Sequence, residues 1–282
     1  MLTDEIREII NKTVDLPPVP AVALKIIQIA NDPNTSAKEL TRVIQSDQNL
    51  TSTVLRISNS AFFGRGKKIE TLSMAVVFLG FSAIKNIAIA ASTKSIRRRF
   101  DLTEKLLWEH SVGVALLSNQ LAKKAGFNKP EEAFIAGLLH DIGKIVLHNS
   151  KPDEYREVMK QFYNKKIPFM ETEKEIFGFT HTDVSVFLVE KWQLPFTLAT
   201  AINYHHNVEE VPDDSFLKPL TYIVALADKV SYRLGIGARE PDESIDLVND
   251  KIADYLNIEG DFWEVFLQEF PEMFEAEKSL FE

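Results

Sequence analysis

The chain of 282 residues contains no cysteine and only six histidines. Without cysteine it cannot form a disulfide framework, a thiolate metal site or a thiol nucleophile, so any metal must be held by histidine and carboxylate side chains. Long apolar runs are absent too. Even Ala133 to Leu139 is far shorter than a membrane span, and Met1 to Pro20 carries charges where a signal peptide needs an apolar core. We therefore expect a soluble, cytoplasmic protein.

The net charge of −9 is unevenly distributed along the chain. Residues 1–100 hold 14 basic and 8 acidic residues, whereas the remaining 182 residues hold 18 and 33. From Glu240 onward there are 14 acidic residues and two basic ones. The plain interpretation is a set of solvated helix faces and a linker, including Arg97, Arg98 and Arg99 where the basic half ends. An acidic protein is a poor candidate for general nucleic-acid binding.

The apolar residues recur with a period near 3.6, and no stretch alternates with the period of a strand, which predicts an all-α fold. Residues 1–100 are predicted to form a helical bundle subdomain. Its helices are separated by a rigid loop at Leu16 to Pro20 and a break at Asp32-Pro33. Ser36 and Glu39 have the spacing of a capping box at the start of a helix.

Residues 101–236 are predicted to form a second helical domain with longer helices. These helices are expected at Trp108 to Ala122, Glu131 to Leu147, Thr182 to Trp192, Pro195 to Tyr204 and Pro219 to Leu234. Residues 237–282 form an acidic extension. Its aromatic residues Trp263, Phe266, Phe270 and Phe274 share one helix face, which predicts an amphipathic helix packed on the body.

Five of the six histidines lie on separate predicted elements of the second half. They are His110, His140, His181, His205 and His206, with His148 the sixth. Each one alone is best interpreted as a structural or surface residue. Together with nearby carboxylates they predict a site for one or two divalent transition metal ions, Fe, Mn, Ni or Zn. Two such ions would supply a hydroxide nucleophile and clamp a phosphoryl group.

Two carboxylates support this prediction. Neighbouring residues cannot share one helix face, so His140 and Asp141 converge on a site only where a helix ends or distorts, and we expect Gly143 to permit the distortion. Asp228 lies in an apolar run, where a buried carboxylate needs a cation or hydrogen-bond donors. Lys144 lies one turn past His140; it could bind a phosphate oxygen or donate a proton, or it could be an ordinary surface lysine.

The segment from Leu138 to Lys144, Leu-Leu-His-Asp-Ile-Gly-Lys, resembles the HD superfamily of metal-dependent phosphohydrolases. The order of the histidines resembles its HD-GYP subfamily in particular. This resemblance implies that His110, His140, Asp141 and Asp228 are core metal ligands with Asp141 as the bridge. It further implies that His181, His205 and His206 hold a second ion and that Lys144 lies near a substrate phosphate, which makes Lys144 and Asp141 the candidate catalytic residues.

The chain also departs from HD-GYP proteins. Val208 to Asp214 has no Gly-Tyr-Pro stretch, and Leu106 stands where some of these proteins place a further glutamate ligand. Hydrolysis of cyclic-di-GMP is therefore not expected.

Residues 10–235 resemble the HDOD (HD-related output domain) family, and the first half carries most of the resemblance. The resemblance rests on Leu16 to Pro20, on Leu55 to Gly64 with its Asn-Ser-Ala stretch, on Leu79-Gly80 and on Trp192 to Pro195. It implies an all-helical bacterial regulatory or scaffolding module, in a family that often lacks metal ligands. Asn59 and Ser60 would cap a helix and a turn or contact a ligand.

Three functional hypotheses follow. The first is a bacterial signal-transduction output protein that recognises a signalling protein or a phosphate-bearing small molecule through an HD-like pocket with bound metal. The second is a metal-dependent phosphohydrolase or phosphodiesterase acting on a nucleotide or cyclic nucleotide. The third is nucleic-acid binding through the helix-turn-helix-like spacing of Ser36 to Ser58, with Arg65 and Lys67; the net charge and the lack of a clear recognition helix disfavour it.

Overall fold

The computed structural model describes residues 3–17, 21–30, 35–60, 63, 68–93, 96–99, 101–213, 217–237 and 240–281. These residues form helices and connecting turns without any strand, so the predicted all-α fold is confirmed. The helices are α1 (Asp4–Thr13), α2 (Ala21–Ala30), α3 (Ala37–Gln45), α4 (Gln48–Ser58), α5 (Leu72–Leu79), α6 (Phe81–Thr93), α7 (Leu102–Lys124), α8 (Pro130–Leu139), α9 (Ile142–Ser150), α10 (Pro152–Lys165), α11 (Phe169–Phe177), α12 (His181–Lys191), α13 (Phe196–Tyr204), α14 (Leu217–Leu234), α15 (Lys251–Tyr255) and α16 (Gly260–Glu277). Short 3₁₀ helices cover Val208–Glu210 and Lys278–Leu280.

Local side-chain chemistry sets the helix ends in the first 100 residues. The capping box at the start of α3 is confirmed: the amide of Glu39 donates to Ser36 Oγ, and the amide of Ser36 donates to the Glu39 carboxylate. Asn59 ends α4, and its side chain both donates to the carbonyl of Ile69 and accepts from the amide of Ile69, each at 2.7 Å. The structural interpretation of Asn59 therefore holds.

Several predicted features lie outside the described residues. They are Pro18 to Pro20, the break at Asp32-Pro33, and Ala61, Gly64, Arg65 and Lys67.

Arg97, Arg98 and Arg99 are hydrogen-bonded to a buried carboxylate in the second half of the chain. Glu104 in α7 is fully buried and accepts hydrogen bonds from Nε of Arg97 and from the backbone amides of Arg98 and Arg99. The Arg97 side chain is 9% exposed and lies over the ring of Trp108. The interpretation of this segment as solvated is therefore wrong for Arg97, whose guanidinium is buried and paired with the carboxylate of Glu104.

Helices α7, α8 and α14 pack against one another at the centre of the second half. The chain turns at His140 and Asp141, which divides the helix predicted from Glu131 to Leu147 into α8 and α9 and confirms the expectation that a helix ends or distorts at this pair of residues. Asp141 has φ −106° and ψ 18°, outside the helical region. The break brings two adjacent side chains to the same side of the fold. Helices α10 and α11 were not predicted.

Gly143 has a different role from the one predicted. It lies within α9 and is not among the glycines with positive φ, so it does not supply backbone freedom. A Cβ at this position would lie 2.0 Å from the carbonyl oxygen of His181 and 2.8 Å from Ser185 Oγ. Gly143 is therefore needed because α9 and α12 approach too closely there for any side chain.

The aromatic face of α16 is largely buried. Trp263, Phe270 and Phe274 have exposures of 2% or less, and Phe266 is partly buried. Beyond α16, the carbonyl of Phe281 accepts a hydrogen bond from Nε1 of Trp108 in α7. None of the described helices combines the length and the low polarity needed to cross a bilayer.

Candidate metal centre

Six helices bring the predicted ligands together in two groups. The first group is His110 from α7, His140 after α8 and Asp228 from α14; the second is Asp141 at the start of α9, His181 at the start of α12, and His205 and His206 after α13. Within each group the candidate ligand atoms lie within 4.8 Å of one another. Ligands of one transition metal ion, each about 2.0–2.2 Å from it, are separated by roughly 3–4 Å. Small side-chain movements would close either group around an ion.

Asp141 lies between the two groups and faces both. Its Oδ2 is 3.5 Å from Nε2 of His110 and 3.3 Å from Nε2 of His140. Its Oδ1 is 3.1 Å from Nε2 of His181 and 3.7 Å from Nε2 of His205. One carboxylate oxygen thus points to each group, which is the arrangement a bridging carboxylate requires.

Backbone carbonyls orient two of the histidines. Nδ1 of His140 is 2.7 Å from the carbonyl of Gly137, and Nδ1 of His205 is 2.8 Å from the carbonyl of Ile202. A carbonyl can only accept, so the proton of each ring lies on Nδ1. In the neutral ring, the form that binds a metal, the lone pair of Nε2 then points into the centre.

His110 is oriented by a hydroxyl. Ser231 Oγ donates its proton to the carbonyl of Asp228 at 2.7 Å, so it accepts from Nδ1 of His110 at 3.1 Å. The carbonyl of Ile236 lies 3.4 Å from the same nitrogen. His110 therefore also presents Nε2 to the centre.

The centre contains buried polar atoms without hydrogen bonds. They include Nε2 of His110, His140 and His205, and Oδ1 of Asp228. Nε2 of His110 is 3.0 Å from Oδ1 of Asp228, so an imidazole lone pair would face a carboxylate lone pair. Such contacts are unfavourable in a buried site unless a cation lies between the two atoms. The donor set and its unmet need for positive charge fit a divalent metal ion.

The charges of the centre also shift the pKa values of His140 and Asp141 in the protein without metal. Burial alone would lower the pKa of His140, but the charge and hydrogen bonds of Asp141 and Asp228 outweigh burial and raise this pKa to about 9. Burial alone would raise the pKa of Asp141, but the charges of His140, Lys144 and His181 hold that pKa well below its ordinary value. Without metal, protons on the histidines and the Lys144 ammonium balance the ionised carboxylates, and a divalent ion would displace the histidine protons and take over that charge.

Lys144 belongs to this cluster. Its side chain is 2% exposed, and its Nζ is 2.6 Å from Oδ2 of Asp141 and 4.2 Å from the centre of the Phe169 ring. The alternative interpretation of Lys144 as a surface lysine is wrong.

The second group is closer to solvent than the first. His206 is exposed, and its Nε2 is 3.1 Å from Nε2 of His181. A cleft of about 380 Å³ borders the segments that carry these ligands, with Thr180 and Thr182 beside His181 and with Asn207 beside His206. Lys174 from α11 also lines this cleft.

Two residues that support the ligands were not predicted. They are Ser231, described above, and Glu173, whose Oε2 is 2.6 Å from Nδ1 of His181. The sequence pattern could have indicated a buried Glu173, because this residue lies four positions after Phe169 and four before Phe177, on the apolar side of a short helix. Ser231 follows Asp228 by three residues and has no comparable signal.

The all-helical fold is that of an HD-related protein. The model of the HDOD domain family matches residues 16–208, and the chain belongs to this family. It is similar over 98% of its length to an HDOD domain protein of unknown function from Geobacter sulfurreducens, with 26% identity, 96% of that chain covered and a TM-score of 0.81.

Two further comparisons are more distant. A candidate metal-dependent phosphohydrolase from Shewanella amazonensis SB2B is 16% identical, with a TM-score of 0.68 over 99% of this chain and 96% of that one, which concerns the fold alone. An uncharacterized protein from Treponema pallidum (strain Nichols) is 26% identical over 215 residues, which are 76% of this chain and 42% of that protein. The chain thus spans about two fifths of that relative's length.

Proposed function

We propose that this chain is a signal-transduction output module of the HDOD type whose HD-like centre binds one or two divalent transition metal ions. The observation that carries the proposal is Asp141, with one carboxylate oxygen facing each group of histidines. His110, His140 and Asp228 would hold one ion, and His181, His205 and His206 a second, with Asp141 between them. Fe, Mn, Ni and Zn all accept imidazole and carboxylate ligands.

The role in signalling rests on the family and on the exposed side of the second group. In this proposal the centre recognises a signalling protein or a phosphate-bearing small molecule at the cleft beside His206. The cleft is lined by sequence neighbours of these ligands, Thr180 and Thr182 beside His181 and Asn207 beside His206, so a ligand bound there would act on the metal centre through these segments.

The metal part of the proposal is tested by elemental analysis of protein purified without a histidine tag. We expect a stoichiometric amount of Fe, Mn, Ni or Zn in the wild type and its loss in Asp141→Ala and Asp141→Asn. His148→Gln is a matched control, because His148 is also buried but binds Asp101 outside both groups. Equal metal content in the wild type and the Asp141 variants, or none in the wild type, would refute the proposal.

A second candidate function is a metal-dependent phosphohydrolase or phosphodiesterase acting on a nucleotide or cyclic nucleotide. The observation that favours it is the buried Lys144 beside Asp141, a cation close to both groups. Metal ions at such a centre supply electrostatic stabilisation of phosphate oxygens and an activated water. Lys144 would hold Asp141 in position and add positive charge near a substrate phosphate.

A panel of phosphoesters assayed with Mn, Fe, Ni and Zn separates the two functions. Turnover that Asp141→Asn abolishes and that His148→Gln leaves unchanged would establish the enzyme. The absence of turnover in every metal-loaded form would leave the signalling module.

A further inference from the structure

Three hydrogen-bond donors converge on one buried carboxylate next to the second group. Glu173 is fully buried, and its Oε2 accepts from the backbone amide of His181 at 2.8 Å and faces Nδ1 of His181 at 2.6 Å. Its Oε1 accepts from the hydroxyl of Tyr155 at 2.9 Å. Both carboxylate oxygens are therefore used, and two of the three donors belong to the same histidine.

These contacts fix His181 in two ways. His181 is the first residue of α12, where a backbone amide has no partner within the helix. The N-cap residue Thr180 accepts from the amide of Asp183, so the amide of His181 needs another acceptor, which Glu173 supplies from α11. The bond to Nδ1 fixes the ring as well, and Nε2 is left facing Asp141 at 3.1 Å.

Glu173 differs from the acceptors that orient the other anchored histidines. His140 and His205 are held by backbone carbonyls, and His110 by the hydroxyl of Ser231. Only at His181, among these four, is the acceptor a carboxylate. A carboxylate behind a metal-binding histidine fixes the tautomer and makes the other ring nitrogen a stronger ligand.

We infer that Glu173 is the positioning residue of the second group, holding the ring and backbone of His181 so that Nε2 can bind a metal ion shared with Asp141. This inference rests on the proposed metal site. It adds that the more exposed group depends on a side chain from α11, the helix whose next residue, Lys174, lines the cleft. Loss of the Glu173 carboxylate should therefore weaken the binding of a metal ion that Glu173 does not itself contact.

The test is a Co²⁺ titration of the wild type, Glu173→Gln and Tyr155→Phe, with absorption spectra recorded for each. Glu173→Gln keeps the size of the side chain but replaces one acceptor oxygen by a donor. We expect it to weaken Co²⁺ binding by about 10- to 100-fold and to change the spectrum. Tyr155→Phe removes the third donor and leaves both contacts with His181, so its affinity and spectrum should match the wild type.

Unchanged affinity in Glu173→Gln, or equal losses in both variants, would overturn the inference, because equal losses would indicate a merely structural role. If Glu173→Gln does not fold, Glu173→Asp, which shortens the carboxylate by one methylene, is measured in the same way with the same criteria.

A readout without metal separates this inference from the metal proposal. In ¹⁵N NMR, the Nδ1–H signal of His181 should be present in the wild type and in Tyr155→Phe and shifted or lost in Glu173→Gln. If the wild type binds no Co²⁺ but the signal behaves in this way, the metal proposal fails while the positioning role stands. A signal that is the same in all three proteins overturns the positioning role.

Discussion

Replacement of Gly143 by alanine tests how the centre is assembled. The added Cβ would lie 2.0 Å from the carbonyl oxygen of His181 and 2.9 Å from its carbonyl carbon, which are backbone atoms that cannot rotate away. An ordinary contact begins at 3.4 Å, so α9 and α12 must separate by about 1.4 Å. The hydrogen bond of 3.0 Å from the Gly143 amide to Ser185 Oγ would lengthen as well.

The expected cost combines overpacking with disruption of the centre. Overpacking of a tight interior costs typically 1–3 kcal/mol, and a clash with backbone lies near the upper end, so we expect a loss of about 3 kcal/mol in the free energy of unfolding. Asp141 lies two residues before Gly143, and His181 begins α12. The same separation therefore moves Oδ1 of Asp141 away from Nε2 of His181, and metal affinity should fall together with stability.

The assay is urea denaturation of the metal-free protein combined with a Co²⁺ titration. Gly260→Ala is the matched control, because its Cβ would meet only a side-chain methyl group, Cγ1 of Val248, at 3.3 Å. A Gly143→Ala protein within about 0.5 kcal/mol of the wild type, the range of neutral surface substitutions, with unchanged Co²⁺ affinity would refute this reasoning.

Three further predictions concern parts of the chain away from the metal ligands. Glu104→Gln should lower the free energy of unfolding by roughly 3 kcal/mol in chemical denaturation, because Arg97 would lose its buried anionic partner, and metal content should stay unchanged. A loss no larger than that of Ser36→Ala, about 1 kcal/mol, would contradict this prediction. Asn59→Ala should cost about 1–2 kcal/mol by removing the bonds to Ile69. Asn59→Asp keeps the acceptor but turns a carboxylate oxygen toward the carbonyls of Leu55 and Ile69, so it should cost at least as much; a clearly smaller cost would argue against these two bonds from Nδ2. Burial alone would raise the pKa of Asp101, but the amide of Glu104 and the side chain of His148 outweigh it and hold this pKa below its ordinary value. The contribution of Asp101 to stability is thus complete above about pH 4 and is lost as the pH falls through the folded-state pKa. In denaturation measured at several pH values, Asp101→Asn should therefore lose less stability on acidification than the wild type does.

Features set by neighbouring residues were predictable from the sequence. The capping box of Ser36 and Glu39 depends on two residues three positions apart, and Pro195 and Pro219 mark helix starts because proline fits a first turn. The position of α14, Leu217–Leu234, differs from the prediction by two residues at its start. Such signals need no knowledge of distant contacts.

Other features depend on contacts between distant segments. A continuous apolar pattern runs through His140 and Asp141, so periodicity alone predicted one helix where the chain turns. Helices α10 and α11 were missed because both carry many exposed charges that interrupt the apolar pattern, although each begins beside a proline, at Pro152 and Pro168. The role of Gly143 could not be read from its sequence neighbours, because the atom that excludes a side chain belongs to His181 on another helix.

The candidate ligands could be selected from the sequence because histidines are few and a buried carboxylate such as Asp228 needs compensation. Their grouping around the two oxygens of Asp141 could not be derived from spacing and came from a family resemblance. The carbonyls that accept from Nδ1 of His140 and His205, those of Gly137 and Ile202, could not be predicted, because every residue has a backbone carbonyl. Only the fold determines which of them face a histidine ring.

The metal centre around Asp141 is tested most directly by anomalous X-ray diffraction from crystals of untagged protein, measured above and below the absorption edges of Mn, Fe, Ni and Zn. We expect one or two anomalous peaks beside the Asp141 carboxylate, between Nε2 of His110 and His140 on one side or Nε2 of His181 and His205 on the other. Well-ordered density for these side chains with no anomalous peak at either position, in crystals grown with added metal, would contradict it.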